Sequence, residues 1–239
     1  MKSLLLPLFA FAGLVFPAFV AASPLTSADL VGAWQIDGEP KHVLLITPNY
    51  WSLSTFTSDR FESTRGGTYT VDSDSSARAV VQFDSADRQQ VGQELQFQLH
   101  LENDTLQVTP PGDSPQTWTR LDRAESPLAG VWRIVGRHAN GTFHEMPLRA
   151  RRTLKILSGT RFQWVAMDIE TGEFSGTGGG TFTFENGRYV EKIEFFSRDN
   201  SRVGAELSFG GEVGGDTWRH HGLSSRGDPI DERWTRFQP

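Results

Sequence analysis

Three side chains in the C-terminal half of the 239-residue chain are of types that transfer protons: Glu191, His220 and Tyr189. A carboxylate and an imidazole supply a general base and a general acid, and a phenol can donate a hydrogen bond to an oxyanion. A carboxyl group in a dry aromatic pocket has a raised pKa, which suits proton transfer near neutral pH. These residues form a candidate catalytic set if the strands that carry them turn them toward one interior.

A predicted hairpin at 181–195 turns Glu191 inward. Apolar and polar residues alternate on both sides of Asn186-Gly187, and Asn-Gly is a strong hairpin signal because both turn residues adopt positive φ. A two-residue turn there places Phe182 opposite Glu191 on the apolar face. A buried carboxylate costs on the order of several kcal/mol unless it is paired, hydrogen-bonded or protonated. Glu191 is therefore the most informative residue of the chain.

Two other strands add aromatic and polar groups to this interior. Trp164 alternates with polar residues in 161–165, and Trp218 shares a face with His220 in 217–221. A mostly aromatic interior with a few convergent polar groups is the usual composition of a small-molecule site. The predicted ligand-binding residues are Trp164, Phe182, Tyr189, Glu191, Trp218 and His220.

The same residues also have structural interpretations. Glu191 and His220 can pair with each other, or with Tyr189 and water, as a satisfied polar core. Trp164 and Trp218 can be ordinary core residues, since aromatic side chains dominate core burial. The sequence leaves both interpretations open beside the functional one.

Neither a metal nor a cofactor is predicted. Adjacent His220 and His221 point to opposite faces of a strand, no His-X-His or Glu-X-X-His cluster occurs, and the chain has no cysteine. The glycine-rich segment 176–180 precedes a strand and lacks the Gly-Lys-Ser/Thr of a phosphate loop, so it indicates a bend or a close backbone approach. A Gly-X-Ser-X-Gly elbow is also missing, which argues against that class of hydrolase.

Charge limits the partners. The net charge of −6 argues against broad nucleic-acid binding, which requires a basic face. The acidic residues are concentrated in the first half, with −8 over residues 23–125 and +1 over 126–239. In the second half, Arg149, Arg151 and Arg152 form a basic run before a strand. We interpret this run as a solvated edge, with contact to an acidic ligand or to the acidic first half as the alternative.

The chain from residue 24 onward is a tandem repeat. Residues 30–38 return as 128–136, and three further blocks return in the same order at offsets that drift from 98 to 116 residues. Duplication predicts one barrel at 24–122 and another at 127–239, joined by a linker at 123–127.

The repeat also compares the candidate site with its own duplicate. At the positions equivalent to Trp164, Tyr189, Glu191, Trp218 and His220, the first copy carries smaller apolar residues. These are, in the same order, Leu53, Ala77, Ala79, Leu106 and Val108. Because the fold is built in the first copy without the polar groups, we expect the second copy to hold the site and the first to be structural or to serve in docking.

The periodicity predicts an all-β chain. No window keeps a helical period over three turns, whereas alternation bounded by Gly, Asn, Asp and Pro recurs throughout. Closing each antiparallel sheet removes exposed edges. The fold class is therefore two tandem antiparallel β-barrels, closed or partly open.

Gly-X-Trp begins the first strand of each copy, at Trp34 and Trp132, and each copy ends in Trp-Thr-Arg, at 118–120 and 234–236. These features resemble the lipocalin-like barrels of the calycin superfamily. Segment 153–237, with RFQWV, TGGGTF, RYVEKIEF and DERWTRF, is similar to a group of bacterial secreted lipocalin-like proteins. The resemblance implies that each first-strand Trp packs under the late Arg to close one barrel end, and that small apolar ligands are bound.

Residues 1–22 are predicted to be a secretory signal peptide. Lys2 precedes an apolar run from Leu4 to Val20, and small residues precede the predicted cleavage site after Ala22. A second hydrophobic stretch does not follow, so no transmembrane segment is expected after cleavage. The protein is expected in the periplasm or outside the cell, with its stability supplied by a packed core or a bound ligand rather than by disulfides.

Three functions are compatible with this organisation. One is an exported binding protein that holds a small, largely apolar or aromatic molecule in the second barrel. Another is a barrel enzyme of isomerase, cyclase or hydratase type, with Glu191 and His220 as base and acid and Tyr189 as hydrogen-bond donor. The last is a structural or interaction module of the cell envelope. An open cavity lined by Glu191 and His220 favours the first two, and a filled interior favours the third.

Overall fold

A computed structural model describes residues 24–224 and 226–238. The predicted signal peptide at 1–22 lies outside these described residues. The described part is almost entirely β-structure, with one helical turn, α1 (Ser27–Leu30), and two 3-10 turns at Arg88–Gln90 and Asn200–Arg202. No helix in these ranges has the length and apolarity needed to cross a membrane. The predicted all-β class is confirmed.

The first barrel consists of eight antiparallel strands that pair in chain order. Its first strand pairs with both the second and the eighth, so the sheet closes on itself. The strands are β1 (Gly32–Ile36), β2 (Lys41–Ile46), β3 (Tyr50–Phe56), β4 (Phe61–Val71), β5 (Ser76–Asp84), β6 (Glu94–Glu102), β7 (Thr105–Thr109) and β8 (Gln116–Asp122).

The second barrel repeats this arrangement and adds one strand. It closes by pairing of β9 with β17, and the additional strand β10 pairs with the second half of β9 while β11 pairs with the first half. Tandem closed barrels are therefore confirmed. The strands are β9 (Gly130–Ala139), β10 (Thr142–Glu145), β11 (Arg151–Leu157), β12 (Arg161–Asp168), β13 (Phe174–Glu185), β14 (Arg188–Phe196), β15 (Glu206–Gly214), β16 (Thr217–Leu223) and β17 (Pro229–Arg236).

A tryptophan and an arginine close one end of each barrel. The Arg120 guanidinium lies 3.9 Å from the Trp34 ring centroid and donates to the backbone carbonyls of Asp29 and Val31. In the second barrel Arg236 lies 4.5 Å from the Trp132 ring centroid and donates to backbone carbonyls in the same way. Stacking and charge-assisted hydrogen bonds thus hold the same closure twice, as the resemblance stated above implies.

Paired glycines bend one strand of each barrel. The pairing of β4 with β5 shifts register at Gly67, and that of β13 with β14 shifts at Gly180. A Cβ at Gly67 would clash with the backbone carbonyl of Val80, and one at Gly180 with that of Lys192. The close backbone approach predicted from the glycine-rich segment is confirmed at Gly180.

The barrels pack together through equivalent surfaces. Phe61 and Phe174 hold the same register position in the two copies, and their rings stack with centroids 6.4 Å apart. Ser52 and Gln163 are also equivalent, and the Ser52 hydroxyl donates to the Gln163 side chain. Because equivalent residues meet only at a two-fold axis, the two barrels are related as the halves of an isologous dimer. The buried apolar residues of this interface are Ala33, Val43, Leu45, Tyr50, Phe56 and Phe83, with Val131, Leu154, Ile156, Val165, Met167 and Phe195.

The carboxylate of Asp122 ties the segment after the first barrel to the second barrel. It accepts hydrogen bonds from the backbone of Ala124 and from Ser158, Gly159 and Thr160 in the turn between β11 and β12, at 2.7–3.0 Å. Burial alone would raise the pKa of Asp122, but these hydrogen bonds outweigh burial and hold the pKa below its ordinary value of 3.8.

Candidate functional site

The hairpin turns Glu191 into the second barrel. Phe182 pairs with Glu191 and Phe184 with Tyr189, across a turn in which Asn186 and Gly187 have φ of 52° and 74°. Glu191 is 4 % exposed. The inward orientation and the register predicted from alternation are confirmed.

Lys155, on β11, is the partner of Glu191. Its Nζ donates to Glu191 Oε1 at 2.7 Å, and both side chains are 6 % exposed. A buried ion pair of good geometry is held by mutual attraction that offsets the large cost of removing both charges from water. The ammonium is also surrounded by aromatic rings, whose faces attract a cation. The ring centroids within 5.0–6.0 Å of Nζ are those of Tyr189, Trp218, Trp234, Phe162 and Phe209.

His220 pairs with a different carboxylate. Its Nδ1 lies 3.4 Å from Glu232 Oε2, which also accepts a hydrogen bond from Trp234 Nε1 at 3.1 Å. Burial, and then the nearby Lys155 ammonium, lower the pKa of His220 below 6.5, so the imidazole is neutral at pH 7. Burial opposes ionisation of Glu232, but its contacts with His220, Lys155 and Trp234 lower its pKa. The interior thus holds two separate polar pairs.

Five of the six predicted ligand-binding residues come together. The Tyr189 ring lies within 5.1–5.6 Å of the rings of Phe182, Trp218 and His220, and Glu191 lies beside them in the pair with Lys155. The sixth, Trp164, is half-buried and packs on Phe196 at 5.4 Å, with the Arg198 guanidinium 5.7 Å from its ring. Trp164 therefore lies at the rim of the cluster.

Side chains fill the centre of the second barrel. The Tyr189 hydroxyl, Trp218 Nε1 and His220 Nε2 are inaccessible to solvent and have no hydrogen-bond partner among the described residues. A cavity that held water would expose these atoms, so the rings leave no space beside them. Burial, and then the adjacent Glu191 carboxylate, raise the pKa of Tyr189 and keep the phenol protonated.

The strand register confirms the residue equivalences between the copies. Val71 pairs with Ala77 as Phe184 pairs with Tyr189, and Leu106 pairs with Trp118 as Trp218 pairs with Trp234. The first barrel therefore has no charged pair at the position of either pair in the second. The residues equivalent to Lys155, Glu191, Tyr189, His220 and Glu232 are Leu44, Ala79, Ala77, Val108 and Gln116.

These smaller side chains leave a cavity of about 90 Å³ inside the first barrel. Its wall is almost entirely apolar. Toward the barrel end away from Trp34 the cavity continues into a mouth of about 340 Å³ that carries His42, Thr55, Ser63 and Arg65. The cavity is lined by Leu30, Leu44, Ile46, Trp51, Leu53, Arg65, Tyr69, Ala77, Ala79, Phe97, Leu99, Leu106, Val108, Gln116 and Trp118.

Two features of the interiors were not predicted from the sequence. The first is the inward orientation of Lys155. Because its neighbours Leu154 and Ile156 are apolar, the alternation pattern predicts that they face the core and that Lys155 faces water. Both faces of β11 are in fact buried, since Leu154 and Ile156 pack against the other barrel. The first-barrel cavity was signalled by Ala77 and Ala79, which are small at positions that face inward.

A broader depression of about 1130 Å³ lies beside the hairpin of β9 and β10. Its charged side chains largely satisfy one another, since Arg219 pairs with Asp231 at 3.0 Å and with Glu212 at 3.3 Å. Balanced charge of this kind does not select a ligand by its sign. The first-barrel cavity is therefore the better candidate site. No protein-family model matches the chain, and no curated protein is significantly similar to it.

Proposed function

We propose that this is an exported, lipocalin-like protein that binds a small amphiphilic molecule, with the apolar end of the ligand in the first barrel. The observation that carries the proposal is the apolar cavity that opens into a polar mouth. Concave, mostly apolar sites with a few polar groups are typical of small-molecule binding.

The size of the cavity limits what it can hold. At about 90 Å³ it is smaller than the roughly 150 Å³ engineered cavity that takes up benzene. A short alkyl segment or a small ring substituent fits inside, and the remainder of the ligand lies in the mouth. There Arg65, which forms no ion pair within the described residues although Asp84 also lines the mouth, is positioned to meet a polar or anionic head group.

The proposal keeps a small ligand with an apolar part, as predicted from the sequence, but adds a polar head group and changes the barrel. The second-barrel site and the acid–base enzyme built on Glu191, His220 and Tyr189 stay predictions. Less supports them, because Lys155 engages Glu191, Glu232 engages His220, and the side chains fill the space between the pairs. The second barrel is proposed to act as a rigid support for the first.

The test is competition binding with matched variants of β5. Straight-chain carboxylates and alcohols of increasing length displace a fluorescent fatty acid from the purified protein. Ala79→Leu fills the cavity and is expected to weaken binding by about ten-fold or more. Val80→Leu, on the outward face of the same strand and 39 % exposed, is the control and leaves affinity unchanged.

Variants of the second barrel complete the test. His220→Phe changes the second-barrel interior without touching the first-barrel cavity and is expected to leave affinity unchanged. If His220→Phe weakens binding and Ala79→Leu does not, the ligand lies in the second barrel and the proposal is wrong. Native mass spectrometry of the freshly purified protein identifies any co-purified ligand.

A further inference from the structure

A further concave site lies at the rim of the second barrel, apart from the first-barrel cavity, and it shares Arg133, Glu145, Met146 and Pro147 with the broader depression described above. It is a groove of about 490 Å³ between the segment that leads from β10 into β11 and the neighbouring ends of β9, β12 and β13. Its charged lining is one-sided, with a single carboxylate, Glu145. The other charged lining residues are Arg133, Arg149, Arg151, Arg152 and Arg198.

These five arginines form no ion pair within the described residues, although eight other arginines of the chain do. Three are anchored on uncharged backbone acceptors instead, and one of these is Arg152, whose Nε donates to the carbonyls of Arg149 and Ala150 at 3.1 and 3.4 Å. Arg133 donates to the carbonyls of Ile134 and Met146 at 3.0 and 2.9 Å, and Arg198 donates to that of Ser175 at 2.6 and 2.8 Å. These three guanidinium groups are thus ordered without an ion-pair partner.

Aromatic faces order two of the guanidinium groups further. Arg198 lies 5.7 Å from the Trp164 ring, and Arg152 lies 5.7 Å from the Phe237 ring. A guanidinium that is ordered before binding loses little side-chain entropy when it accepts a ligand. The contact with Arg198 places Trp164 next to the groove rather than in the barrel interior.

The positive charges that line the groove repel one another. Burial, and then the neighbouring Arg152, lower the pKa of Arg133. Asp168 lies opposite Arg151 in the β11–β12 pair; hydrogen bonds from the backbone of Thr171 and Glu170 lower its pKa most, and the Arg151 charge lowers it further, so the charge of Arg151 is partly balanced. A ligand with negative charge would relieve the repulsion, and planar guanidinium groups match oxyanions in a bidentate manner.

We propose that the groove binds a small organic polyanion, a molecule with at least two phosphate or carboxylate groups. The floor is apolar, with Ile134, Met146, Pro147 and Met167, so a carbon framework between the anionic groups is accommodated. The volume lies in the range of small-molecule sites. The net charge of −6 disfavours a nucleic acid as the occupant.

The test is calorimetric titration of the purified full chain with citrate, inorganic pyrophosphate and acetate at matched ionic strength. Citrate or pyrophosphate is expected to bind with 1:1 stoichiometry and to weaken as salt increases, and acetate is expected not to bind. Tighter binding of citrate assigns carboxylate groups to the ligand, and tighter binding of pyrophosphate assigns phosphate groups. Equal response to acetate overturns the proposal.

Charge-matched variants locate the binding. Arg149→Gln/Arg151→Gln removes two exposed groove arginines and is expected to weaken polyanion binding at least about ten-fold. The control, Arg78→Gln/Arg188→Gln, removes the same net charge from exposed positions outside the groove and is expected to leave affinity unchanged. Equal weakening by both pairs means nonspecific attraction and overturns the proposal. Arg198→Gln serves as an independent groove variant, and tighter binding of a short oligonucleotide than of pyrophosphate also contradicts a small-molecule site.

Discussion

The two barrels share one register, one Trp–Arg closure and one glycine bend, yet their interiors differ. Lys155, Glu191, Tyr189 and the pair of His220 with Glu232 fill the second barrel, whereas leucine, alanine and valine at the same positions leave space in the first. The backbone of an eight-stranded barrel therefore does not determine whether a cavity exists. Side-chain volume at about five inward positions decides it.

The difference also shows what a buried polar group indicates. Glu191 looks like a functional residue when it is considered alone, because an unpaired carboxylate is costly inside a barrel. Paired with Lys155 under a set of aromatic rings, it instead occupies volume and leaves no open contact for a ligand. In the proposed function, the position that matters is the equivalent one in the first barrel, where only the methyl group of Ala79 lines the cavity.

The largest effect is expected from breaking the buried ion pair. Lys155→Leu introduces the residue found at the equivalent position of the first barrel and leaves Glu191 without its cation. The free energy of unfolding should fall by about 3–5 kcal/mol. The measurement is urea denaturation followed by tryptophan fluorescence.

Removing the second charge as well tests the cause of that loss. Lys155→Leu/Glu191→Ala should regain a large part of the stability, because only the cost of unfilled volume remains. If the double variant is less stable than the single one, the uncompensated charge is not the reason for the loss.

A somewhat smaller loss is expected when the second barrel is given unfilled space. Trp218→Leu copies Leu106 of the first barrel and should lower the free energy of unfolding by about 3 kcal/mol. It should also raise the number of sites that bind a small apolar probe such as benzene, measured by titration. Trp164→Leu, at the half-buried rim, is the control and adds no site.

Asp122→Asn tests a contact that belongs to neither interior and should cost about 2 kcal/mol at pH 7, because five hydrogen bonds lose a charged acceptor. The lowered pKa of Asp122 means that its contribution is complete above pH 3.8, the ordinary value, and is lost as pH falls through the lower folded-state value. The parent should therefore lose more stability in acid than the variant does, as measured by urea denaturation at a series of pH values. Parallel pH profiles would contradict this assignment.

The smallest effect is expected at His220. His220→Phe should lower the free energy of unfolding at pH 7 by about 1 kcal/mol, since it removes one long hydrogen bond to Glu232. A His whose folded-state pKa is lowered stabilises the protein above pH 6.5 and loses that contribution as pH falls. The variant should accordingly show a flatter decrease in stability from pH 7 to about pH 5 than the parent. An unchanged slope would mean that another group titrates there.

The sequence predicted the fold well, because the repeat, the alternation and the turn residues all indicate the same structure. Asn186-Gly187 alone determines the hairpin register, and the register determines which side of the sheet Glu191 faces. Ala77 and Ala79 were matched correctly to Tyr189 and Glu191 from the offsets of the repeated sequence blocks.

The interior of the site was less predictable. Alternation identifies the two faces of a strand but does not reveal that both are buried, and this is the condition that conceals Lys155. Volume is a collective property of several strands, so the small residues of the first copy predicted a structural or docking role and did not reveal that a cavity lies between them. The groove arginines come from strands β9 and β11 and from the segments before β11 and after β14, and only the run at 149–152 is visible as a pattern.

The two-fold contact through Phe61 and Phe174 has a genetic consequence. In a symmetric pair of identical chains, every substitution appears twice, so a charge placed in one copy is placed in both. Joining the copies in one polypeptide ends this coupling and keeps them together at any dilution. Each half can then accumulate its own substitutions. Only the residues of the contact surface between the barrels stay constrained, because the two sides of that surface must still fit together.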